Sequence, residues 1–540
     1  MVSSLLVEAL SSPTEALLEL YNAQSAETHN EFPAVVTKHF SDVFKAEDAF
    51  REIRPLDVDH PPESFPDRSL VRFRCMVQDT SPSPEMYLSK TKSGTCAGWG
   101  LAAIASPNAE DDGDDINYAD LRDCSVVWAV SVPGESDWWK EVLDKHERVT
   151  ATESTHVHKP TRPHKNPLTK DPHVGVQVKM YDLPGNDAPK TCDILNFVGI
   201  LTSEPLHSEI EDDNAIDVPT LHVLFTRPHE MGALPPTLSS ESDDTISSEE
   251  AVLDELVSWV ADESLGGDKD AAEWILLAST ARVQSRTRSL LPPSLTLAQF
   301  PSPSSPDALT PALSHILSLL LPTSVTVPLS LELLNESAFV PESKNEDLHS
   351  GVLQVSDGTT LLITESGVRE GKLVERGVLN VMAVQNVMLS QSLPYKFPFS
   401  EFSFPTDLSF IVLAEGKKSA FLKTDINVPL QPSAPDVDLY KHASQISLPT
   451  PAKMRAFRSL LFGAKNGKIE VAGSTSERIQ DDFVEGRKTN KKLSSDDLKL
   501  SITTARLLGL LRGEKELSID TWTRAKALEE RRKARLENSA

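Results

Sequence analysis

Apolar positions along the chain fall into three rhythms. Over residues 3–50 they recur at helical spacing: after Phe32 and Pro33 come Val35, Val36, Phe40, Val43 and Phe44. Beyond the proline-rich turn RPLDVDHPPESFPD the period drops to two, and in LVRFRCMVQD the side chains of Val71, Phe73, Cys75 and Val77 share one face. CSVVWAVSVP (124–133), VGVQVKMYD (174–182), DILNFVGILT (193–202) and LHVLFTR (221–227) repeat that strand pattern. Five such runs predict one small twisted barrel or sandwich, OB-like in size, over residues 61–230.

Past residue 250 the rhythm is mixed. AVLDELVSWVADESLGGDKDAAEWILLASTARV predicts two helices, with Leu253, Leu256, Val257 and Val260 on one face of the first and Asp268 or Asp270 capping the second. HILSLLLP predicts a short helix. VTVPLSLELL (325–334), GVLQV (351–355), TTLLITES (359–366) and LSFIVLAE (408–415) predict strands, and the alternation implies a sheet flanked by helices over 251–450. From residue 451 helical spacing returns. A Ser-capped segment presents Leu498, Ile502, Ala505 and Leu508; a second, capped by Ser518, presents Ile519, Trp522, Ala525 and Leu528. The expected fold class is α+β multidomain: a helical region (1–60), an OB-like β region, an α/β core and a helical C-terminal region (451–540).

Three polar segments interrupt this plan. AEDDGDDINYADL (109–121) reads as an acidic loop, and residues 231–250, ending in PPTLSSESDDTISSEE, as an acidic linker. STHVHKPTRPHKNPLTKDPH (154–173) reads as a disordered, proline-rich basic linker with the character of a nuclear import signal. With 38 prolines against 23 glycines, stiff connections between folded parts are expected.

Composition narrows the function classes. A length of 540 residues allows roughly two to four domains. No run of 18 apolar residues is present, so no membrane span is expected. The start, MVSSLLVEALSSPTEALLELY, lacks a basic region and predicts an amphipathic helix rather than a signal peptide. Four scattered cysteines without CxxC spacing fit reduced thiols of the cytosol or nucleus, with neither disulfides nor a zinc site. A net charge of −27 repels phosphate backbones. Residues 451–540 run the other way, with 20 Lys and Arg against 13 Asp and Glu, so a basic tail sits on an acidic body.

Candidate chemistry is sparse. AEGKKSAFL (414–422) resembles a phosphate loop, but GxxxxGK[ST] needs a first glycine where Ile411 stands. Ser419 sits one residue late after Gly416, Lys417 and Lys418, and no helix pattern follows. GTCAG (94–98) imitates a nucleophile elbow with Cys96, yet no base or acid is nominated. Glu365 ends an apolar strand where an ATPase carries its metal-binding acids, but stands alone. His156, His158, His164 and His173 lack a cysteine or acidic partner at ligand spacing, and 109–121 lacks the EF-hand pattern. Arg72, Phe73, Arg74 and Tyr87 fit an alternative reading, an OB-fold single-stranded nucleic-acid binder, although Phe73 falls at a core position. Ser302-Pro303 and Ser305-Pro306 are potential phosphorylation sites, and Arg531, Arg532, Lys533 and Arg535 suit import, docking or simply a helix end. No catalytic, cofactor-binding or metal-binding residue is nominated.

Several blocks together resemble one family, the minichromosome maintenance (MCM) complex-binding proteins. They are LVRFRCMVQDTSPSPEMY, VPGESDWWKE, KMYDLPGNDAPKTCDILNFVGILT, LGGDKDAAEWILL, GVLQVSDGTTLLITESGV and the segment from IQDDFVEGRK to KARLE. They keep the family's order between residues 30 and 537; Thr364 departs from an Asp in the family pattern. The resemblance implies a nuclear, non-catalytic protein that associates with subunits of the MCM replicative helicase and with chromatin through them. It implies an influence on helicase assembly and unloading, DNA replication and sister-chromatid cohesion. It also implies a degenerate relative of those subunits: OB-like region, ATPase-like core without a phosphate loop, helical lid.

Overall fold

A computed structural model describes residues 4–24, 31–91, 94–101, 117–144, 159–168, 171–182, 188–206, 216–228, 249–287, 290–303, 310–368, 370–434, 437–489, 491 and 493–539. Short helices α1 (Ser4–Ser11), α2 (Pro13–Asn22), α3 (Phe32–Val43) and α4 (Glu47–Arg51) open the chain. They lead through β1 (Arg54–Pro55) into β2 (Ser69–Asp79), β3 (Glu85–Leu88), β4 (Leu121–Ser131), β5 (Gly175–Met180), β6 (Ile194–Pro205) and β7 (Asp217–Pro228). β2 pairs with β4, β4 with β5, β5 with β7, β7 with β6, and β6 with β2, so the ring of pairings closes on itself. All are antiparallel except β5 with β7. Alternation dictates the interior: Val71, Phe73, Cys75 and Val77 pack with Val127, Ala129, Val176 and Val178. The opposite face of β6 and β7, with Val198, Ile200, Leu224 and Phe225, is covered by Phe32, Val36, Phe40 and Phe44 of the opening helices.

Helix α5 (Asp137–Asp144) follows β4, and α6 (Glu249–Ser264) and α7 (Lys269–Thr280) precede a second sheet. Its five strands are β8 (Leu295–Ala298), β9 (Ser324–Pro328), β12 (Thr360–Thr364), β15 (Ser409–Leu413) and β16 (Ile426–Pro429), all parallel in the order β16-β8-β15-β12-β9. Helices α8 (Ala312–Leu320), α9 (Leu331–Glu336) and α10 (Glu375–Ser390) connect them. Strands β10 (Glu342–Lys344), β11 (Asp347–His349), β13 (Ser392–Phe397) and β14 (Ser400–Pro405) form a small separate sheet.

Two strand expectations fail here. The run 325–334 splits after β9, because the Ser330 hydroxyl accepts from Leu333 N–H and starts α9. GVLQV is not a strand: Gly351 lies so close to the backbone at Phe339–Val340 that a Cβ would sit 2.4 Å from the Val340 carbonyl carbon. β8, β16, α10 and the β13–β14 hairpin lie outside the sequence expectations.

The final helices are α11 (Pro451–Asn466), α12 (Gly473–Thr489), α13 (Ser495–Leu511) and α14 (Ile519–Ser539). Ser494 caps α13 in a reciprocal box with Asp497. Trp522, Ala525 and Leu528 are buried as expected, while Ile519 is exposed. These helices share one hydrophobic core with α6, α7, α8 and one face of the parallel sheet, from Leu256 through Leu297 and Ile411 to Leu508 and Trp522. The basic end of α14 is used inside the molecule. Arg535 binds Asp268 and Asp270, Arg531 binds Asp270, and Arg532 donates to the Asn427 carbonyl. Asp268 also caps α7, as the sequence implied.

The segment expected to be a disordered basic linker is docked across residues 159–168 and 171–173. Lys165 is 1% exposed and lies 2.5 Å from Asp79 at the end of β2 and 2.6 Å from Asp347 of β11. Arg162 and His164 also bind Asp347, and Arg162 lies over the Trp128 ring at 5.2 Å. Carboxylates supplied by two other parts of the chain thus hold its cations; that is why composition alone misjudged it. His156, His158 and the acidic segments 109–116 and 235–248 lie outside the described residues.

A second clasp comes from VPGES and the following helix. Gly134, at φ +68°, lies against β9, where a Cβ would meet the Ser324 carbonyl oxygen at 2.7 Å. Glu135 holds Arg74 at 2.8 Å, and Trp138 Nε1 donates to the Ser318 carbonyl while Arg458 covers its ring.

Asp79→Asn keeps the shape of the first clasp and removes one charge beside a buried ammonium, an expected loss of about 3 kcal/mol. Thermal melting and trypsin cleavage after Lys165 measure it; unchanged melting and resistance would contradict this role for Asp79. Lys465 of α11 gives a second prediction. It donates to the Ser279 carbonyl and Thr360 Oγ1, and burial, helped by Arg282, pushes its ammonium down to about 7. Below that pH the folded chain carries the full cost of a buried cation. Above it only the unfolded chain keeps the proton, so stability rises with pH by up to about 1.4 kcal/mol per unit. Lys465→Met is expected to flatten the rise in melting temperature between about pH 7 and 8.5; equal slopes would exclude the effect.

Candidate functional site at the carboxyl end of the parallel sheet

In an open parallel sheet, ligands bind beyond the carboxyl ends of the strands, where neighbouring strands send their connections in opposite directions. Here that place lies between β8, whose chain runs to β9 at one edge, and β15, whose chain runs to β16 on the other side. A phosphate loop belongs between a strand and the helix after it, which at this crevice is the stretch between β8 and α8. Its sequence, QFPSPSSPDALTP (299–311), holds four prolines, which have no N–H, and neither glycine nor lysine. The N–H groups it does offer near the strand are spent: Gln299 donates to the Gly416 carbonyl at 2.9 Å and Phe300 to the Ala414 carbonyl at 3.0 Å. Phe300 is buried edge-on against Tyr440, whose hydroxyl donates to the Pro301 carbonyl. Among the described residues, Gln299, Phe300 and Tyr440 thus tie this loop to its neighbours.

The residues singled out from AEGKKSAFL form the other wall. The Ser419 hydroxyl donates to Glu365 and accepts from Leu422 N–H at 2.9 Å; Ala420 N–H donates to the other Glu365 oxygen at 3.1 Å. The lone carboxylate at the end of β12 is therefore a staple for the loop after β15. Lys417 and Lys418 are exposed, and Asn427 of β16 donates to the Lys417 carbonyl. Thr364 is buried, and among the described residues its hydroxyl has no hydrogen-bond partner. The sequence placed the lysines in a turn at a strand end, as found. It missed β8, a four-residue strand between prolines, and so missed where a phosphate loop would have to be.

The remaining candidates have structural roles. Cys96 is buried under the opening helices, and Gly98 N–H donates to its sulfur. Phe73 is inside the barrel; Arg72 donates to the Ile53 carbonyl and Arg74 binds Glu135. Tyr87 packs edge-on against Trp99 and Tyr181. His164 does meet acidic and imidazole partners, though not at sequence spacing. Ligand atoms of His164, Asp347 and His349 lie within 4.8 Å of one another. Burial works against the Asp347 charge, but the His164 hydrogen bond and the charges of Lys165 and Arg162 hold this carboxyl well below the usual range. A divalent ion there would face two fixed cations, so the cluster suits a clasp better than a metal.

The outer face of β4 and β5 is covered. Trp128 is 3% and Gln177 2% exposed, beneath Arg162 and the β10–β11 turn, with a cavity of about 280 Å³ left between.

Burial pushes the thiols of Cys96 up to about 11 and of Cys124 and Cys192 up to about 12, and Cys75 higher still. At pH 7.5 all four are expected to resist an anionic disulfide reagent in the folded chain and to react once it is denatured. Rapid reaction of Cys96 in the native protein would restore it as a nucleophile.

Among the described residues no helix is long and apolar enough to cross a membrane. Comparison with known proteins accounts for nearly the whole chain. The model of a family described as mini-chromosome maintenance replisome factor matches residues 40–166 and 144–536. The chain is similar to the mini-chromosome maintenance complex-binding protein of Gallus gallus, 26% identical over 600 aligned residues that cover 93% of this chain and 94% of the relative. Its identity to the Homo sapiens protein of that name is 26%, over 93% of this chain and 94% of the relative. For the Drosophila melanogaster protein it is 27%, over 88% and 91%. With the fold's two clasps built from the RFRCMVQD and VPGES blocks and a match of this extent, the chain belongs to the mini-chromosome maintenance replisome factor family.

Proposed function

We propose that this protein is a non-catalytic binding factor of the MCM replicative helicase complex. In this reading it acts in the nucleus, reaches chromatin through helicase subunits, and regulates their assembly and unloading during DNA replication and sister-chromatid cohesion. Relatives along the whole chain are named for binding the complex. The observation that carries the non-catalytic part is the crevice between β8 and β15, where the chain crosses with prolines and committed N–H groups instead of a glycine loop.

Topology supports a helicase-like outline. Numbered in chain order, the closed ring of strands runs 1-2-3-5-4, a Greek-key arrangement that we read as OB-like. The parallel sheet runs 5-1-4-3-2, with its empty phosphate-loop position after strand 1; we read it as a degenerate ATPase-like core. A subunit-shaped body without fuel chemistry docks beside real motor subunits and displaces their neighbours. The alternative of single-strand binding finds its expected face occupied by Arg162 and the β10–β11 turn.

Purified protein incubated with each helicase subunit, alone and in mixtures, tests the reading. Binding to at least one subunit is expected, and adding that subunit's neighbour should lower the amount captured. Co-assembly with a complete set of subunits, without displacement, would refute competition; binding to none would refute the function.

A further inference from the structure

We propose that the groove between α12, α13 and α14 docks a basic, apolar-bearing segment of a partner protein. A cavity of about 430 Å³ opens there, within the range of ligand clefts. Its floor is apolar: Leu493, Leu498 and Leu500 are part-buried, and beside them lies Trp522, whose indole N–H is held by Asp482 at 2.8 Å. Phe483 forms part of the wall, and next to it Val484 is 54% exposed. DDFVEGRK, one of the blocks that carried the family resemblance, thus lines an open groove as well as supplying a helix.

The rim selects the occupant. Its two lysines are already matched, Lys526 by Asp482 and Lys533 by Glu529. Glu485 and Glu530, also on the rim, form no ion pair among the described residues, while Asp497 there is spent on the Ser494 cap of α13. An apolar floor beside two unmatched carboxylates fits an amphipathic helix with apolar anchors at i, i+4 and i+7 and lysine or arginine beside them. It rejects an acidic segment by like-charge repulsion. The inference concerns the chemistry of the segment and holds whichever protein carries it.

The full-length chain is titrated into a fluorescein-labelled amphipathic peptide of about 18 residues, leucine on one face and lysine elsewhere, and into its twin with glutamate for lysine. Saturable one-to-one binding of the lysine peptide is expected, at least about tenfold tighter than the twin at about 150 mM salt. Ser501→Trp fills the cavity from a half-buried position on α13 and is expected to weaken binding about tenfold or more. Glu485→Lys with Glu530→Lys changes only exposed rim charges, should leave the melting temperature unchanged, and should weaken binding about fivefold. No binding by the native chain, equal affinity for the two peptides, or binding by both variants as tight as by the native chain overturns the proposal. Self-association in sedimentation that Ser501→Trp abolishes would also overturn it, by assigning the groove to a second copy.

Discussion

The carbonyls of Ala414 and Gly416 accept the N–H groups of Phe300 and Gln299, and much of this molecule follows from those two hydrogen bonds. They draw the loop after β15 over the end of β8, at the point where a parallel sheet normally leaves a crevice for a ligand. Among the described residues, the backbone donors of Gln299 and Phe300 beside β8 are thereby committed to the β15 loop. Glu365, the acid closest to catalytic placement, instead stiffens the loop through Ser419 and Ala420. The loops after β8 and β15 are thereby tied to each other and to the end of β12.

Buried polar contacts also join the ring of β2–β7 strands to the half of the chain that holds the parallel sheet. Lys165 between Asp79 and Asp347, and Gly134 against β9, bring together segments more than 180 residues apart in sequence. Between these clasps a buried amide pair, Gln78 with Gln354, joins β2 to the core, and Gln354 continues to Ser350 and the Tyr395 hydroxyl. Burying charged and polar groups is costly unless every partner is present. Loss of one member therefore weakens the junction by more than one hydrogen bond is worth. The blocks RFRCMVQD and VPGES, first noticed as family signatures, are physically the parts that lock one half of the chain to the other.

The strands of the first sheet were legible because period-two alternation is a local property: Val71, Phe73, Cys75 and Val77 had to face one way, and they share one core. The terminal helices were legible for the same reason, with caps at Ser494 and Ser518. What stayed hidden depends on distant partners. LTLA between prolines carries too few residues to show a period, yet it becomes a central strand once β15 and β16 flank it. The Arg162–Lys165 stretch reads as a linker until Asp347, far along the chain, neutralises it. The groove under α14 is assembled from three helices whose individual faces looked like ordinary amphipathic surface.

Whether a nucleotide fits at the carboxyl end of the parallel sheet decides between a binding body and a motor. Calorimetric titration of the purified chain with magnesium-ATP measures it directly. The account predicts no saturable heat and no change in melting temperature. Saturable binding that is lost on Glu365→Gln or Lys417→Ala would contradict it.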